Sequence, residues 1–528
     1  MAGGARGRRF AAAAAGVAAA VLGVGLGELA ATLMWPDASP VAVIGSALID
    51  AAPSWAKDTA ITLFGTNDKL ALIIGIGIVL VGLAVIAGLV ELRWPPFGVA
   101  AMILFGGVGA VAAVTRVNAG ALDWVPSVVA GAGAALALAL LIARVPGRLK
   151  VAPIPMTERA TEPEPDPAEQ PTALQRRTFL LWTVGTMAVG VLAAVGSSLA
   201  RAGVHAVTAV RDALKLPAPA VPAPPVPAAA ELDIPGLAPV VTPNAQFYRI
   251  DTALLVPQVD PAGWTLRIHG MVTTEVTITW EELLALPLQE SYTTLSCVSN
   301  EVGGDLIGNA LWLGYPIRDL LARAAPTAEA DMVLSHSIDG FTASSPLEAL
   351  TDARNAILAV AMNGEPLPPE HGFPVRMVVP GLYGYVSATK WVTELEVTRF
   401  DLGTAYWTTR GWSARGPIKL QSRIDVPRKA QGLKAGETVI AGVAWQPTVG
   451  IAAVEVQIDD EPWLPATLAT AISDDTWVQW MLPWTATAGD HVIRSRATSK
   501  TGEVQTEKRT RTDPDGASGW PERFVEVF

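Results

Sequence analysis

The stretch Ser291–Asp305, SYTTLSCVSNEVGGD, holds the single cysteine of a 528-residue chain. A lone cysteine in an arbitrary sequence is most often a small buried hydrophobe. The flanks here argue otherwise. Thr-Thr-Leu-Ser precedes Cys297 and Val-Ser-Asn-Glu-Val-Gly-Gly follows it, so the thiol falls in a polar, glycine-bearing loop. A nucleophilic role needs a base, and His371 is the candidate with a suggestive setting. A zinc site needs three more ligands, and no spacing supplies them. A soft thiolate bound to a metal whose other ligands come from an organic cofactor needs one cysteine only. The count also excludes an internal disulfide, an iron–sulfur cluster and a Cys-x-x-Cys-His haem attachment.

Outward from this loop, the composition divides the chain. The whole is 51% hydrophobic and 16% charged, with a net charge of -11. Residues 1–200 are Ala/Val/Leu/Gly-rich and nearly uncharged, whereas the remainder reads as a slightly acidic globular protein. No basic stripe is present to neutralise phosphates, so nucleic acid is not an expected partner.

About 20 apolar residues cross a bilayer. Phe10–Met34, Leu70–Val90, Phe97–Val114, Val125–Ala143 and Thr178–Ala200 qualify, predicting an all-α membrane bundle of five helices. A sixth apolar piece near 41–49 is too short and reads as interfacial. Arg6, Arg8, Arg9, Arg93, Arg144, Arg148, Lys150, Arg159, Arg176 and Arg177 flank one side, against Lys57, Lys69 and Arg116 on the other. By the positive-inside rule the N-terminus is cytoplasmic and everything after residue 200 is extracytoplasmic. Arg176-Arg177 before Phe179-Leu180 resembles a twin-arginine export signal, the alternative being two plain positive-inside arginines. None of the five histidines (His205, His269, His336, His371, His491) lies in a span, so no haem is expected. Glu28 is the one acid inside a span, and is either functional or interfacial.

Residues 217–229, PAPAVPAPPVPAA, predict a semi-rigid polyproline spacer within a linker over 201–236. Residues 237–428 mix strand-like alternation (WTLRIHGMV, EVTITW, DMVLSHSIDGF, HGFPVRMVVP, KWVTELEVTRF) with helical spacing (WEELLAL, YPIRDLLARA), an α+β domain. Residues 429–528 show short strands at regular spacing, an immunoglobulin-like β-sandwich with Trp445, Trp463, Trp477, Trp480 and Trp484 expected to pack its core.

Several pieces of the second half, in order, resemble the sulfite oxidase-type molybdenum enzymes. TPNAQFYRID (242–251), TTLSCVSN (293–300), NGEPLPPEHGFPVRMVVPG (363–381) and YGYVSATKW (383–391) carry the likeness, the third being the most specific. The resemblance implies a molybdopterin catalytic domain followed by a dimerisation domain, and hence a possible homodimer. It implies that Cys297 binds molybdenum and that His371 and Arg376 hold the pterin and its phosphate. Ser337, Ser387 and Lys390 would close on the pterin, and Asn244, Tyr248 and Arg249 would come from the preceding loop. Arg376, with Arg410 or Arg415, would supply pocket electrostatics to oxygen-atom transfer on a small oxo-compound. Electrons would pass to a separate partner, a quinone or cytochrome.

Two departures stand out. The family carries arginines just after Cys-x-x-Asn, where this chain has Glu301-Val302. The clamp around Lys390 is one residue longer, and Tyr406 is out of register with the family's substrate-side tyrosine. The first departure puts sulfite itself in doubt. Two other readings stay open: a sulfoxide-type reductase of the same superfamily, and a non-enzymatic adhesion or sensor module on a membrane anchor.

Overall fold

The computed structural model describes residues 2–34, 38–51, 68–116, 119–145, 173–202, 205–428 and 432–528. Lys57, Arg148, Lys150 and Arg159, used above for orientation, lie outside them. The chain divides into two compact units that part near residue 206.

The first unit is helical: α1 (Ala2–Met34), α2 (Pro40–Ala51), α3 (Asp68–Arg93), α4 (Phe97–Val114), α5 (Val125–Ile142) and α6 (Ala173–Ala202). Among the described residues five stretches are long and apolar enough to cross a membrane: Arg6–Leu33, Ala71–Arg93, Phe97–Val114, Val125–Ile142 and Arg176–Ser198. They coincide with the five expected spans. Small residues set the crossings. A β-carbon at Gly16 would stand 2.0 Å from the Ala84 carbonyl oxygen, and one at Gly106 would stand 2.7 Å from Gly131 Cα. Glu28 is 5% exposed and is not a lone charge. It accepts from Ser39 Oγ at 2.8 Å and from the Val41 N–H at 3.1 Å, so it caps the short helix α2. Glu91 does the same for α4, accepting from the Val99 N–H at 3.0 Å.

The second unit opens with a short helix, α7 (His205–Ala213), whose Arg211 donates to the Leu367 and Pro366 carbonyls at 2.9 and 2.7 Å. The expected spacer does not stand free. Val221 bridges Gln289, and the Leu232 N–H donates to Gln479 Oε1 at 2.8 Å, so the proline-rich stretch is laid along the unit's surface.

Ten strands follow: β1 (Thr265–Gly270), β2 (Val276–Thr279), β3 (Gln289–Ser296), β4 (Ile307–Pro316), β5 (Met332–Ser337), β6 (Thr342–Pro346), β7 (Ile357–Met362), β8 (Glu365–Pro366), β9 (Arg376–Val378) and β10 (Val392–Thr398). They form two five-stranded sheets, β2-β1-β10-β5-β6 and β3-β4-β7-β8 with β9 on β7. The helix over Trp280–Ala285 (α8) begins with a capping box, Thr279 Oγ1 accepting from the Glu282 N–H and Glu282 Oε2 from the Thr279 N–H. The helix over Ile317–Ala324 (α9) buries Ile317, Leu320, Leu321 and Ala324, one apolar stripe.

Eight more strands close the chain: β11 (Gln421–Val426), β12 (Gly436–Trp445), β13 (Ile451–Ile458), β14 (Leu464–Pro465), β15 (Thr467–Leu468), β16 (Val478–Ala486), β17 (Gly489–Ser499) and β18 (Glu522–Val527). Sheets β11-β12-β16-β15 and β14-β13-β17-β18 face each other over a core of Ile424, Ile440, Val456, Trp480 and Ile493. Two expectations need correction. The first sandwich strand, β11, precedes residue 429, pairing Gln421 with Trp445. Trp445 and Trp477 leave the sandwich core and join that of the preceding ten strands. The Trp477 indole N–H donates to the Val240 carbonyl at 2.8 Å, and its backbone N–H to Thr294 Oγ1 at 2.8 Å.

Candidate active site

Cys297 is the first residue out of β3, at the mouth of the loop joining β3 to β4. The loop is held by backbone: the Cys297 N–H donates to Leu306 O at 2.9 Å, and the Asn300 N–H to Cys297 O at 3.1 Å. Asn300 Oδ1 then accepts from the Leu306 N–H at 2.9 Å. From the sandwich, Arg423 donates to Gly304 O at 3.3 Å. The thiol is thus presented on a rigid turn. Burial pushes its pKa up, while hydrogen bonds from Ser299 and the charge of Lys390 pull the other way.

His371 ends a single 3-10 turn, Pro369–His371. Gly372 then reverses the chain at φ 110°, where a β-carbon would press on Arg376 Cβ at 3.0 Å and Lys390 Cβ at 3.1 Å. That close approach brings the three side chains together. His371 Nε2 lies 3.3 Å from the Asn244 carbonyl oxygen, which assigns it as the donor. The Phe247 ring meets the imidazole edge-on at 5.6 Å. Burial, with Lys390 and Arg376 adding, pushes His371 down to about 3, so the imidazole is neutral. Its Nδ1 is buried with no partner among the described residues.

Arg376 is 4% exposed. It donates to the His371 carbonyl at 3.1 Å and stacks over the Trp312 ring at 5.0 Å. No carboxylate lies within ion-pair distance of it among the described residues, and burial lowers its pKa to about 10. Lys390 donates to Asp251 at 2.9 Å and to the Glu370 carbonyl at 2.9 Å. Burial lowers it to about 8 against the pull of Asp251. Trp391, at φ 50°, turns the chain between Lys390 and β10, and Lys390 joins the cluster despite the longer clamp. Arg249 shares Asp251 at 3.0 Å. Tyr248 lies within the field of both Cys297 and Arg376, and burial raises its phenol pKa.

Ser337 ends β5 across from Val392, two residues beyond Lys390, and its Oγ accepts from the Asp339 N–H at 3.4 Å. Asn244 receives a bond from Asn363 Nδ2 at 2.8 Å. Ser387 is fully buried and donates to the Tyr383 carbonyl at 2.9 Å, so its proton serves its own turn.

The structure leaves Arg415 out: it lies 4.0 Å from Asp331 and over the Phe400 ring, at the end of β5 opposite Ser337, roughly 20 Å along the strand. Arg410 covers the Tyr406 ring at 3.5 Å, and Tyr406 packs on Phe341, whose carbonyl takes the Ser337 N–H.

Four residues of the cluster were not singled out as site residues from the sequence. Asp251 joins Arg249 to Lys390, Trp312 lies under Arg376, Asp339 holds a carboxyl raised by burial beside Lys390, and Tyr383 feels the Cys297 charge. Only Asp251, two places after Arg249, offered a hint.

Asp251→Asn leaves Lys390 and Arg249 without their shared anion. A melting experiment on the purified protein should show a loss of roughly 3 kcal/mol, read as a Tm lower by several degrees. An unchanged Tm would mean that the pair contributes nothing.

Residues 253–407 match the family described as the oxidoreductase molybdopterin binding domain. The uncharacterized oxidoreductase YuiH of Bacillus subtilis is 35% identical over 157 residues, 30% of this chain and 76% of that protein. The chain belongs to the sulfite oxidase-type molybdopterin oxidoreductases. Human mitochondrial sulfite oxidase is 30% identical over 246 residues, which are 39% of this chain and 45% of that one. The chain therefore spans less than half of that sulfite oxidase. A crystal structure of the sulfane dehydrogenase SoxCD from Paracoccus pantotrophus overlays with a TM-score of 0.48 at 23% identity, over 54% of this chain and 81% of that one.

Membership makes this a molybdenum-dependent oxidoreductase. The residues present fit the family's cofactor. Arg376 is a buried cation without a carboxylate, suited to a phosphate. His371 keeps a buried ring nitrogen open for a hydrogen bond. Cys297 is a soft ligand on a fixed turn.

Proposed function

We propose that the chain is a membrane-anchored enzyme with an extracytoplasmic catalytic unit, acting by oxygen-atom transfer on a small, weakly charged oxo-compound, of which sulfur compounds are the first to test. One observation carries this: a lone thiol on a rigid turn beside a buried cluster with Arg376, Lys390 and Arg249 set against Asp251. Molybdenum in its pterin, when bound, supplies a two-electron couple and the oxygen-transfer chemistry. The chain supplies the rest. Cys297 Sγ ligates the metal, and Arg376 and Lys390 hold the phosphate and pterin. His371 offers its free ring nitrogen. Asn244, Tyr248 and Arg249 close one side, with Ser337 and Ser387 shaping the turns of the other. Electrons leave or arrive through a separate carrier, a quinone or a cytochrome. The test is metal analysis of the purified full chain with a substrate screen. Close to one molybdenum per chain and turnover on an oxo-compound are expected, and a metal-free, inactive protein from molybdenum-replete cells would end the reading.

The substrate preference follows from Glu301, which is exposed at the end of the Cys297 turn where the family has cations. An acid there disfavours a dianion, although water screens the effect. Sulfite turnover is expected to be weak, and Glu301→Arg should raise kcat/KM for sulfite about 3- to 10-fold. Efficient wild-type sulfite oxidation would remove the argument.

The anchor carries a second expectation. Arg176 and Arg177 open the last span. Replacing both with lysine keeps the charge that orients the helix but removes a twin-arginine signal. The catalytic unit of the double variant should then stay protected from protease added to spheroplasts. Normal digestion would return the pair to a plain positive-inside role. The sandwich, taken as immunoglobulin-like, would serve as the dimerisation domain.

A further inference from the structure

We propose that the helical unit contains a binding site for a quinone-class ligand drawn from the bilayer. A cavity of about 130 Å³ lies among α1 to α5. Its wall is apolar, with Val24, Ile44, Leu80 and Phe105 in the lining, and Ser127 in the first turn of α5 is the one lining residue with a side-chain hydroxyl. Ser127 is 2% exposed, and its Oγ has no hydrogen-bond partner among the described residues. The atom faces Gly109, where a β-carbon would come within 2.9 Å of it.

A hydroxyl left unpaired in hydrocarbon is unfavourable. A lipid acyl chain filling the cavity would leave it unpaired. A flat ring bearing a carbonyl oxygen would accept its proton and fill the rest with apolar contact. The volume suits one such ring, since an apolar protein cavity of about 150 Å³ accepts benzene. Phe105 is 41% exposed, so the lining reaches the outer surface of the unit and a prenyl tail has a way out. The choice of a quinone over other ring ketones rests on the proposed oxidoreductase activity, which must exchange electron pairs with a carrier.

The full chain in lipid nanodiscs should bind a decyl-tailed benzoquinone saturably, and decylbenzene, which has the tail and ring but no carbonyl, markedly less. Ser127→Ala should weaken quinone binding about tenfold, the loss of one hydrogen bond. Val24→Phe, which puts a ring of the chain's own into the cavity, should abolish it. Equal binding of the two probes, or wild-type affinity in Ser127→Ala, overturns the proposal. Turnover of Ser127→Ala with a water-soluble dye as electron acceptor should equal that of the wild type. Ser127-dependent quinone binding in a protein without molybdenum-dependent turnover would uphold the site and refute the activity proposed above.

Discussion

Cys297→Ser should fold as the wild type does and lose about 1,000-fold or more of its turnover, an effect of ~4 kcal/mol on the barrier. The two halves of that expectation have separate causes. The turn that carries the thiol is built from backbone bonds to Leu306 and Asn300 and from the Asn300 side chain, none of which uses the sulfur. Serine fits the same space, so Tm should move by no more than a few degrees. A hydroxyl at neutral pH, however, is a poor ligand for a soft metal, whereas a coordinated thiol is held as the thiolate. Molybdenum content, a melting curve and turnover on one preparation settle the matter. Near wild-type turnover in the serine variant would show that the thiol is not the metal ligand.

Arg376→Met should separate stability from cofactor retention. In the protein without cofactor, Arg376 is a buried cation with no carboxylate within ion-pair distance among the described residues, and burial lowers its pKa to about 10 against the pull of Tyr248 and Asp251. Such a charge is costly, and an apolar side chain of similar length over Trp312 removes that cost at the expense of two bonds, to the His371 and Met377 carbonyls. The apo Tm should therefore hold or rise. A charge-assisted bond to a phosphate is worth about 1.5–3 kcal/mol, so cofactor affinity should fall roughly 10- to 100-fold. Titrating apo-protein with the pterin cofactor, alongside apo and holo melts, reads both signs. A variant that is less stable as apo-protein yet retains cofactor normally would make Arg376 a packing residue.

How far the residues themselves foretold this site depends on the range of the signal. The spans and the strands at 265–270, 332–337 and 392–398 were legible because hydropathy and alternation are local. The turn at His371-Gly372 was legible for the same reason. The strand Gln421–Val426 gives no alternating signal, because buried polar side chains lie on both of its faces: Gln421 donates to the Ala517 carbonyl at 2.7 Å, and Ser422 pairs with Ser495 at 2.9 Å. Alternation showed that Trp445 and Trp477 point inward but could not say into which core. Asp251 and Tyr383 lie within the quoted stretches, but the pairing of Asp251 with Lys390 and the place of Trp312 under Arg376 are contacts across long stretches of chain, which no window of sequence contains. The proline-rich stretch was read by its stiffness, and what it docks against is again a tertiary matter.

The placement of Trp445 and Trp477 bears on how such an enzyme can change through evolution. Their side chains belong to the core of the preceding ten strands, and Trp477 is bonded to Thr294 of β3 and to Val240, so the sandwich is no exchangeable attachment. A gene rearrangement joining this catalytic domain to another partner would leave two large holes in its core. A rearrangement that released the sandwich alone would expose two indoles on its surface. The two halves are thus heritable only as a pair, and shuffling at their junction would yield insoluble products rather than new combinations.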